Sequence, residues 1–197
     1  MRTGILGGAF NPPHLGHLCL AQEAHARLGL DRVLLIPVRE PPHRELDSDP
    51  GPEQRLRMVQ LAVAGDDRLE TSAIEVERPG TSYTVDTLRD LSDADPSQEL
   101  TLILGADQAR RLASWREPNE VLRLARVAIA ERTGLDRNEV VAELGALDGT
   151  DQIAGFELPR LDVSSTLVRE RVAAGLPVRY LVPDAVADHI AAEELYA

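Results

Sequence analysis

The sequence predicts an α/β protein, doubly wound around a mostly parallel sheet, with helices closing its C-terminal end. Three observations point there. Short aliphatic runs alternate along the chain with helix-length amphipathic segments, the pattern of repeated βαβ units. Some of those runs are aliphatic at every position, "RVLLIPV" (32–38) above all, as in strands buried on both faces. Two of them end in glycine followed by small or polar residues, at Gly7-Gly8 and at Gly105-Ala106-Asp107. Open parallel sheets bind ligands beyond the carboxyl ends of their strands, where the strand order reverses, so the crevice is predicted between these two ends.

Each element has its own justification. "TGILGGAF" (3–10) opens with a short apolar strand, and "HLGHLCLAQEAHARLGL" (14–30) follows with helical spacing that stops near Gly29. After the strand at 32–38, "REPPHRELDSDPGP" (39–52) is rich in Pro, Asp and Gly and predicts a long loop. Pro52 and Glu53 start a helix that runs to a stop at Gly65. "LETSAIEVE" (69–77) alternates like a strand, and "TVDTLRDLSD" (84–93) has the spacing of a short helix. "ELTLILGAD" (99–107) predicts the fourth strand, breaking at Gly105; "VLRLA" (121–125) is helical and "RVAIAER" (126–132) a strand. "DQIAGFELP" (151–159) gives a short last strand, before helices in "SSTLVRERVAAG" (164–175) and "PDAVADHIAAEELY" (183–196).

Composition bounds the function. At 197 residues, 43% hydrophobic and 27% charged, the chain suits one globular unit over 1–197 with an aliphatic core. A net charge of -12 argues against nucleic acid and against anionic membranes, both of which need dense basic patches. An anionic small molecule remains open, because a few arginines and helix N-termini reverse the field locally. The sequence has no lysine, so a cation for phosphate must be Arg or a protonated His. Cys19 is the one cysteine, which rules out an intramolecular disulfide and suits a reducing, cytoplasmic setting. Met1-Arg2-Thr3 leads into a strand and not a signal peptide, and no apolar stretch approaches the ~20 residues that cross a bilayer. A homo-oligomer is left open.

The segment "GILGGAFNPPHLGH" (4–17) changes character too often for a plain connection. Gly7 and Gly8 allow a sharp turn and a ligand close to the backbone. Pro12 and Pro13 stiffen the loop and delay the helix. His14 and His17, at i and i+3, share one face of the first helical turn, where unpaired N–H groups and the helix dipole favour an anion. Imidazole donors there suit a phosphate chain whose charge grows during reaction. A tight turn with two surface histidines is the plainer alternative. Zinc does not fit, since the spacing is not HExxH and neither a carboxylate nor a second cysteine stands nearby; no metal site is predicted. GxxxxGK[ST], GxGxxG and GxSxG are all absent. Far along the chain, Ser164, Ser165 and Thr166 are good N-cap residues whose hydroxyls and N–H groups suit phosphate oxygens. Arg169 lies one turn on, within reach of the same oxygens.

"GGAFNPPHLGH" resembles the HxGH signature of the nucleotidyltransferase superfamily, and "VSSTLVRERV" (163–172) its ISSTxxR signature, in the expected order. "PPHR" (41–44), "ERPGTSYTVDTL" (77–88), "ILGADQARRLASW" (103–115) and "YLVP" (180–183) narrow the resemblance to the bacterial nicotinate-nucleotide adenylyltransferase family, from residue 4 to about 196. The resemblance implies a Rossmann-like fold and adenylyl transfer from ATP to nicotinate mononucleotide, with Mg2+ brought by the ATP. It implies that His14, His17, Ser164, Ser165, Thr166 and Arg169 hold the ATP phosphates above Gly7, Gly8, Ala9 and Phe10. By the same resemblance His14, His17 and Arg169 would be catalytic, and Asp107 would bind ribose hydroxyls. Trp115 would stack on the pyridine ring, with Ser82, Tyr83 and Thr84 as the wall beside it, and Arg44 and Arg132 would reach substrate phosphates. Asp107 as a helix cap, Trp115 as core, Ser82–Thr84 as a helix entry and the arginines as solvated loop charges are the structural alternatives.

Three departures stand out. Ala9 replaces a frequent Ser or Thr, Arg44 a frequent Lys, and Arg116 an aromatic residue; the last would put a cation near the nicotinate carboxylate. Related acceptors, nicotinamide mononucleotide or phosphopantetheine, are the nearest rivals. "GTSYTVDTL" weighs against the second of them. A regulatory nucleotide-binding domain is the rival from another class, against which intact His14, His17 and Arg169 weigh.

Overall fold

The structure is a computed structural model that describes residues 1–42, 45–131, 137–145, 147–150 and 153–197. Arg44 and Arg132 lie outside the described residues. The strands are β1 (Arg2–Gly8), β2 (Arg32–Pro37), β3 (Leu69–Thr71), β4 (Glu99–Gly105), β5 (Arg126–Glu131) and β6 (Ala154–Glu157). They form one six-stranded sheet in the order β3-β2-β1-β4-β5-β6, every pairing parallel. The chain moves outward from β1 to β3, then returns to lay β4 on the other side of β1. That reversal opens a crevice beyond the ends of β1 and β4. The expected doubly wound class holds, and the sheet is parallel throughout.

The aliphatic runs are continuous because both sheet faces are covered. Ile5, Leu34, Leu102, Leu104, Val127 and Ile129 enter one cluster with α4 (Thr84–Ala94), α6 (Pro118–Leu124) and α7 (Arg137–Glu143). Their alternate neighbours Leu6, Val33, Leu35, Ile103, Ala128 and Ala130 enter the other, against α1 (Leu15–Leu28) and α2 (Pro52–Val63). Gly4 shows how closely this second layer is set: a Cβ there would lie 2.7 Å from Leu30 Cδ1 and 2.9 Å from Ile103 Cδ1. A third cluster, with Met58, Val168, Val182, Val186 and Ile190, packs α8 (Ser165–Ala173) and α9 (Asp184–Ala192) on α2. Among the described residues no helix is long and apolar enough to cross a membrane.

One strand is shorter than the sequence predicts. The run 69–77 leaves the sheet after Thr71, and Ile74–Glu77 forms a helical turn, α3. Ser72 Oγ accepts the Ile74 N–H at 3.4 Å, a local bond that competes with the ladder and turns the chain. Two short elements, α5 (Ala106–Ala109) and a 3-10 turn at Leu112–Ser114, follow β4 without a periodic signal.

Candidate active site

The site begins where β1 ends. At Gly7 and at Gly105 a Cβ would meet nothing within 4 Å, so both strand ends border open space. Phe10 then takes a left-handed backbone (φ 49) with its ring 1% exposed, an arrangement that a phenylalanine adopts only when its surroundings enforce it. The chain passes through buried Asn11 and the two prolines to His14, which stands in extended conformation (φ -142, ψ 170) just before α1.

His14 and His17 are locked together. The His14 N–H donates to His17 Nδ1 at 3.2 Å, and the rings stack with centroids 3.8 Å apart. Phe10 meets the His17 ring edge-on at 4.9 Å. Gly16 makes this possible: a Cβ on it would sit 3.0 Å from the His14 ring. Because His17 Nδ1 accepts, its proton resides on Nε2, which remains as the donor. Burial, and secondarily the neighbouring His14, pushes the His17 pKa down to about 3. His17 is therefore a neutral donor before substrate arrives. Of the two cations the sequence allows for phosphate, Arg or a protonated His, this leaves Arg for the site at that stage.

The second signature reaches the same place from the far end of the chain. Ser164 caps α8, its Oγ accepting from Leu167 N at 3.1 Å. Ser165 Oγ donates to the Pro12 carbonyl at 2.8 Å, and Arg169 Nη1 to the Asn11 carbonyl at 2.9 Å. Arg169 Nη2 lies 3.4 Å from Thr166 Oγ1. The Ser165 hydroxyl has thus given its one proton to the Pro12 carbonyl, whereas the Ser164 hydroxyl, which only accepts the cap bond, keeps its O–H as a donor beside α8. The first-turn N–H groups of Ser165 and Thr166, the Thr166 hydroxyl and the remaining Arg169 donors are what α8 presents. Ala9, Asn11, Ser165, Thr166 and Arg169 line a cavity of about 270 Å³, closed on one side by Glu45, Leu46 and Asp47 of the 39–51 loop.

The other predicted residues lie on the segment that follows β4 and at the entry of α4. Asp107 is exposed in the first turn of α5 and does not cap it; Gly105 holds the cap position. Ser82 is buried, its Oγ accepting from Arg39 N at 2.9 Å and its N–H donating to the Glu40 carbonyl at 2.9 Å, which ties the segment to the end of β2. Tyr83 takes the cap position of α4 and Thr84 begins that helix, so the helix-entry reading of this stretch is correct. Trp115 is half-buried against the first core cluster. The Arg116 guanidinium lies 4.8 Å over the Tyr83 ring, and it is not free: Asp86 stands at 3.4 Å and Glu117 at 3.6 Å.

Sequence reading missed three residues. Arg55 is 0% exposed, donating to Asp49 Oδ1 (2.8 Å) and to the carbonyls of Ala9 (3.1 Å), Val38 (2.6 Å) and Arg39 (3.0 Å), so it clamps the ends of β1 and β2. Its position in the apolar stripe of α2, with Met58 and Val59, was the available signal. Glu75, buried behind Ser82, accepts the Thr87 hydroxyl at 2.6 Å, and burial pushes its pKa up. Asn11 lay inside the quoted motif, but nothing in its spacing showed that it would join three segments.

A parallel sheet whose strand-order reversal carries two helix N-termini, paired imidazoles and an arginine defines a nucleotidyl-transferring class of protein. The chain belongs to the cytidylyltransferase-like family, which matches residues 5–171, from β1 into α8. Within it the similarity is narrower. Proteins named probable nicotinate-nucleotide adenylyltransferase from Herpetosiphon aurantiacus and a Roseiflexus species are 43% identical over 197 residues and 46% over 195. These alignments cover 99% of this chain and 98% of the first relative, and 98% and 96% for the second. A solved structure of Plasmodium falciparum nicotinic acid mononucleotide adenylyltransferase complexed with NaAD superposes with a TM-score of 0.78, covering 99% of this chain and 97% of that one. At 17% identity that match speaks for the fold alone.

Proposed function

We propose that residues 1–197 act as one catalytic unit that transfers the adenylyl group of ATP to nicotinate mononucleotide, giving deamido-NAD and pyrophosphate. The observation that carries this is the convergence of His14, His17 and Arg169 on the starts of α1 and α8, in a chain that aligns end to end with the bacterial relatives. The acceptor phosphate attacks the α-phosphorus of ATP. A P–O bond forms there as the bond to the bridging oxygen breaks, and pyrophosphate leaves with the electron pair. The nucleophile is already an anion at neutral pH, so no general base is required. Alignment and charge stabilisation supply the rate.

In this reading the triphosphate lies over Gly7–Phe10. His17 donates from Nε2, Arg169 supplies the positive charge, and the N–H groups of Ser165 and Thr166 take phosphate oxygens. Asp107 holds the ribose of the adenylyl group. Trp115, Arg116 and the Ser82–Thr84 wall receive the pyridine ring and its carboxylate. Magnesium belongs to the substrate, travelling on the triphosphate and neutralising part of its charge. Among the described residues no cluster of three or more His, Cys, Asp or Glu offers a cage of protein ligands.

The test is pyrophosphate release from ATP and magnesium with nicotinate mononucleotide, nicotinamide mononucleotide or phosphopantetheine supplied separately. Release is expected to be fastest with the nicotinate acceptor. Preference for another acceptor would overturn the roles given to residues 82–84 and 115–116 while retaining the phosphate site.

A further inference from the structure

Beyond α9 the chain doubles back through two non-glycine residues in left-handed conformation, Glu194 (φ 52) and Tyr196 (φ 65). Such backbone persists only where other contacts hold it, and here it carries the Tyr196 ring to the phosphate site. The Tyr196 hydroxyl donates to Asn11 Oδ1 at 2.7 Å. On the other side of the same amide, Asn11 Nδ2 donates to the Asp47 carbonyl at 3.0 Å. The Asn11 peptide carbonyl, in turn, accepts from Arg169 Nη1 at 2.9 Å.

These bonds give Asn11 a fixed orientation. It is 3% exposed, so water is a poor substitute for either side-chain partner. The Asp47 carbonyl decides which way the amide faces, since exchanging its oxygen and nitrogen would set two carbonyl oxygens against each other, and the Tyr196 hydroxyl then fixes Oδ1 in place. Burial pushes the Tyr196 phenol pKa up, which keeps the hydroxyl a donor through neutral and alkaline pH.

We propose that Tyr196 is a positioning residue for adenylyl transfer: its hydroxyl locks the Asn11 amide, and the Asn11 carbonyl thereby sets the Arg169 guanidinium against the triphosphate. The inference rests on the reading of Arg169 as the triphosphate's cation. A guanidinium displaced by a fraction of an ångström still attracts ATP, but it no longer meets the charge that shifts onto the departing pyrophosphate. The lock therefore acts on turnover more than on ground-state binding.

The experiment compares the wild-type chain, Tyr196→Phe, Arg169→Lys and the double variant, by steady-state pyrophosphate release with ATP, magnesium and nicotinate mononucleotide. Tyr196→Phe is expected to lower kcat about tenfold with the KM for ATP changed less than about twofold. In the Arg169→Lys background the same change is expected to have little further effect, because the lock has lost the group it positions. Met58→Leu removes the hydroxyl's other neighbour, the Met58 sulfur 4.0 Å away, while leaving the hydroxyl and its Asn11 partner in place. It should keep kcat at the wild-type level even where it lowers the melting temperature. An active wild type with unchanged Tyr196→Phe turnover overturns the lock, as do fully multiplicative effects with Arg169→Lys or an equal kcat loss in Met58→Leu. A wild type that releases no pyrophosphate with any acceptor overturns the activity itself.

Discussion

Replacing Arg55 with methionine tests whether the ends of β1 and β2 depend on one buried side chain. The substitution keeps an apolar stem of similar bulk in the α2 stripe and removes every donor. The carbonyls of Ala9, Val38 and Arg39 lose their guanidinium partners together with the Asp49 carboxylate. Breaking a buried ion pair by removing one partner costs about 3–5 kcal/mol, and each buried acceptor left bare adds about 1–3 kcal/mol. The Asp49 side chain is 28% exposed, so water can solvate it and most of the ion-pair cost drops out, leaving chiefly the three carbonyls near the lower figure. We expect a loss of about 3–5 kcal/mol. In a chain of 197 residues this is a fall in melting temperature of roughly 6–20 °C, at about 2–4 °C per kcal/mol. Arg55→Lys should recover less than half of it, because an ammonium cannot span three carbonyls and a carboxylate as a planar guanidinium does. Thermal melts of the three proteins, with the KM for ATP at a temperature where all are folded, give the answer. A fall below about 3 °C for Arg55→Met would refute the clamp, as would an unchanged KM for ATP, since Ala9 lies in the phosphate loop.

Two further predictions concern charge. His17→Ala should lower kcat by about 10²–10³ while changing the KM for ATP only modestly, because the donor works on charge that develops during the reaction. The same variant isolates a pH effect. Folding holds His17 at a pKa of about 3 against an ordinary 6.5, so between those values the unfolded chain takes up a proton that the folded chain refuses. Wild-type stability is therefore complete above pH 6.5 and falls with pH toward 3. Between pH 7 and pH 5 the wild type should lose about 2 kcal/mol more than His17→Ala in urea unfolding; parallel curves would refute the neutral ring. Arg116→Ala should raise the KM for nicotinate mononucleotide about two- to fivefold and leave that for ATP alone. Its side chain is 50% exposed and shared with Asp86 and Glu117, so solvent and those carboxylates screen most of its charge. An unaltered acceptor KM would remove Arg116 from the site.

What was legible in the sequence follows from how local each signal is. β1, β2, β4 and β5 showed as aliphatic runs because helices cover both sheet faces, which leaves no polar side to interrupt them. The end of α1 was legible because Gly29 takes the left-handed conformation (φ 62) that follows a helix, a demand of one residue on itself. The strand predicted at 69–77 holds only to Thr71, because Ile74 and Val76 alternate as well in one helical turn as in a strand, and the Ser72 hydroxyl offers the Ile74 N–H a local partner there. Arg116 was legible as a cation but not as one paired with Asp86, which reaches it from α4, 30 residues away. Arg55 and Tyr196 act across large separations, 46 residues to Ala9 and 185 to Asn11, and no window of sequence contains such a bond.

The neutral state of His17 bears on how a chain of net charge -12 handles a triphosphate. A lysine at that position would attract ATP strongly in the ground state and gain little more as the reaction proceeds. An imidazole whose Nδ1 is held by the His14 N–H, and whose ring is pinned between His14 and Phe10, presents one aimed N–H and no net charge. Its hydrogen bond strengthens as negative charge grows on the oxygen it faces, so its contribution falls mainly on the transition state. Permanent positive charge is left to Arg169, whose place depends on Asn11. The acidic loop residues Glu45 and Asp47 at the cavity rim fit the same division. On the proposed reading they would moderate the attraction for the triphosphate and for the pyrophosphate that must leave, while the aimed donors would retain their preference for the charge distribution between the two.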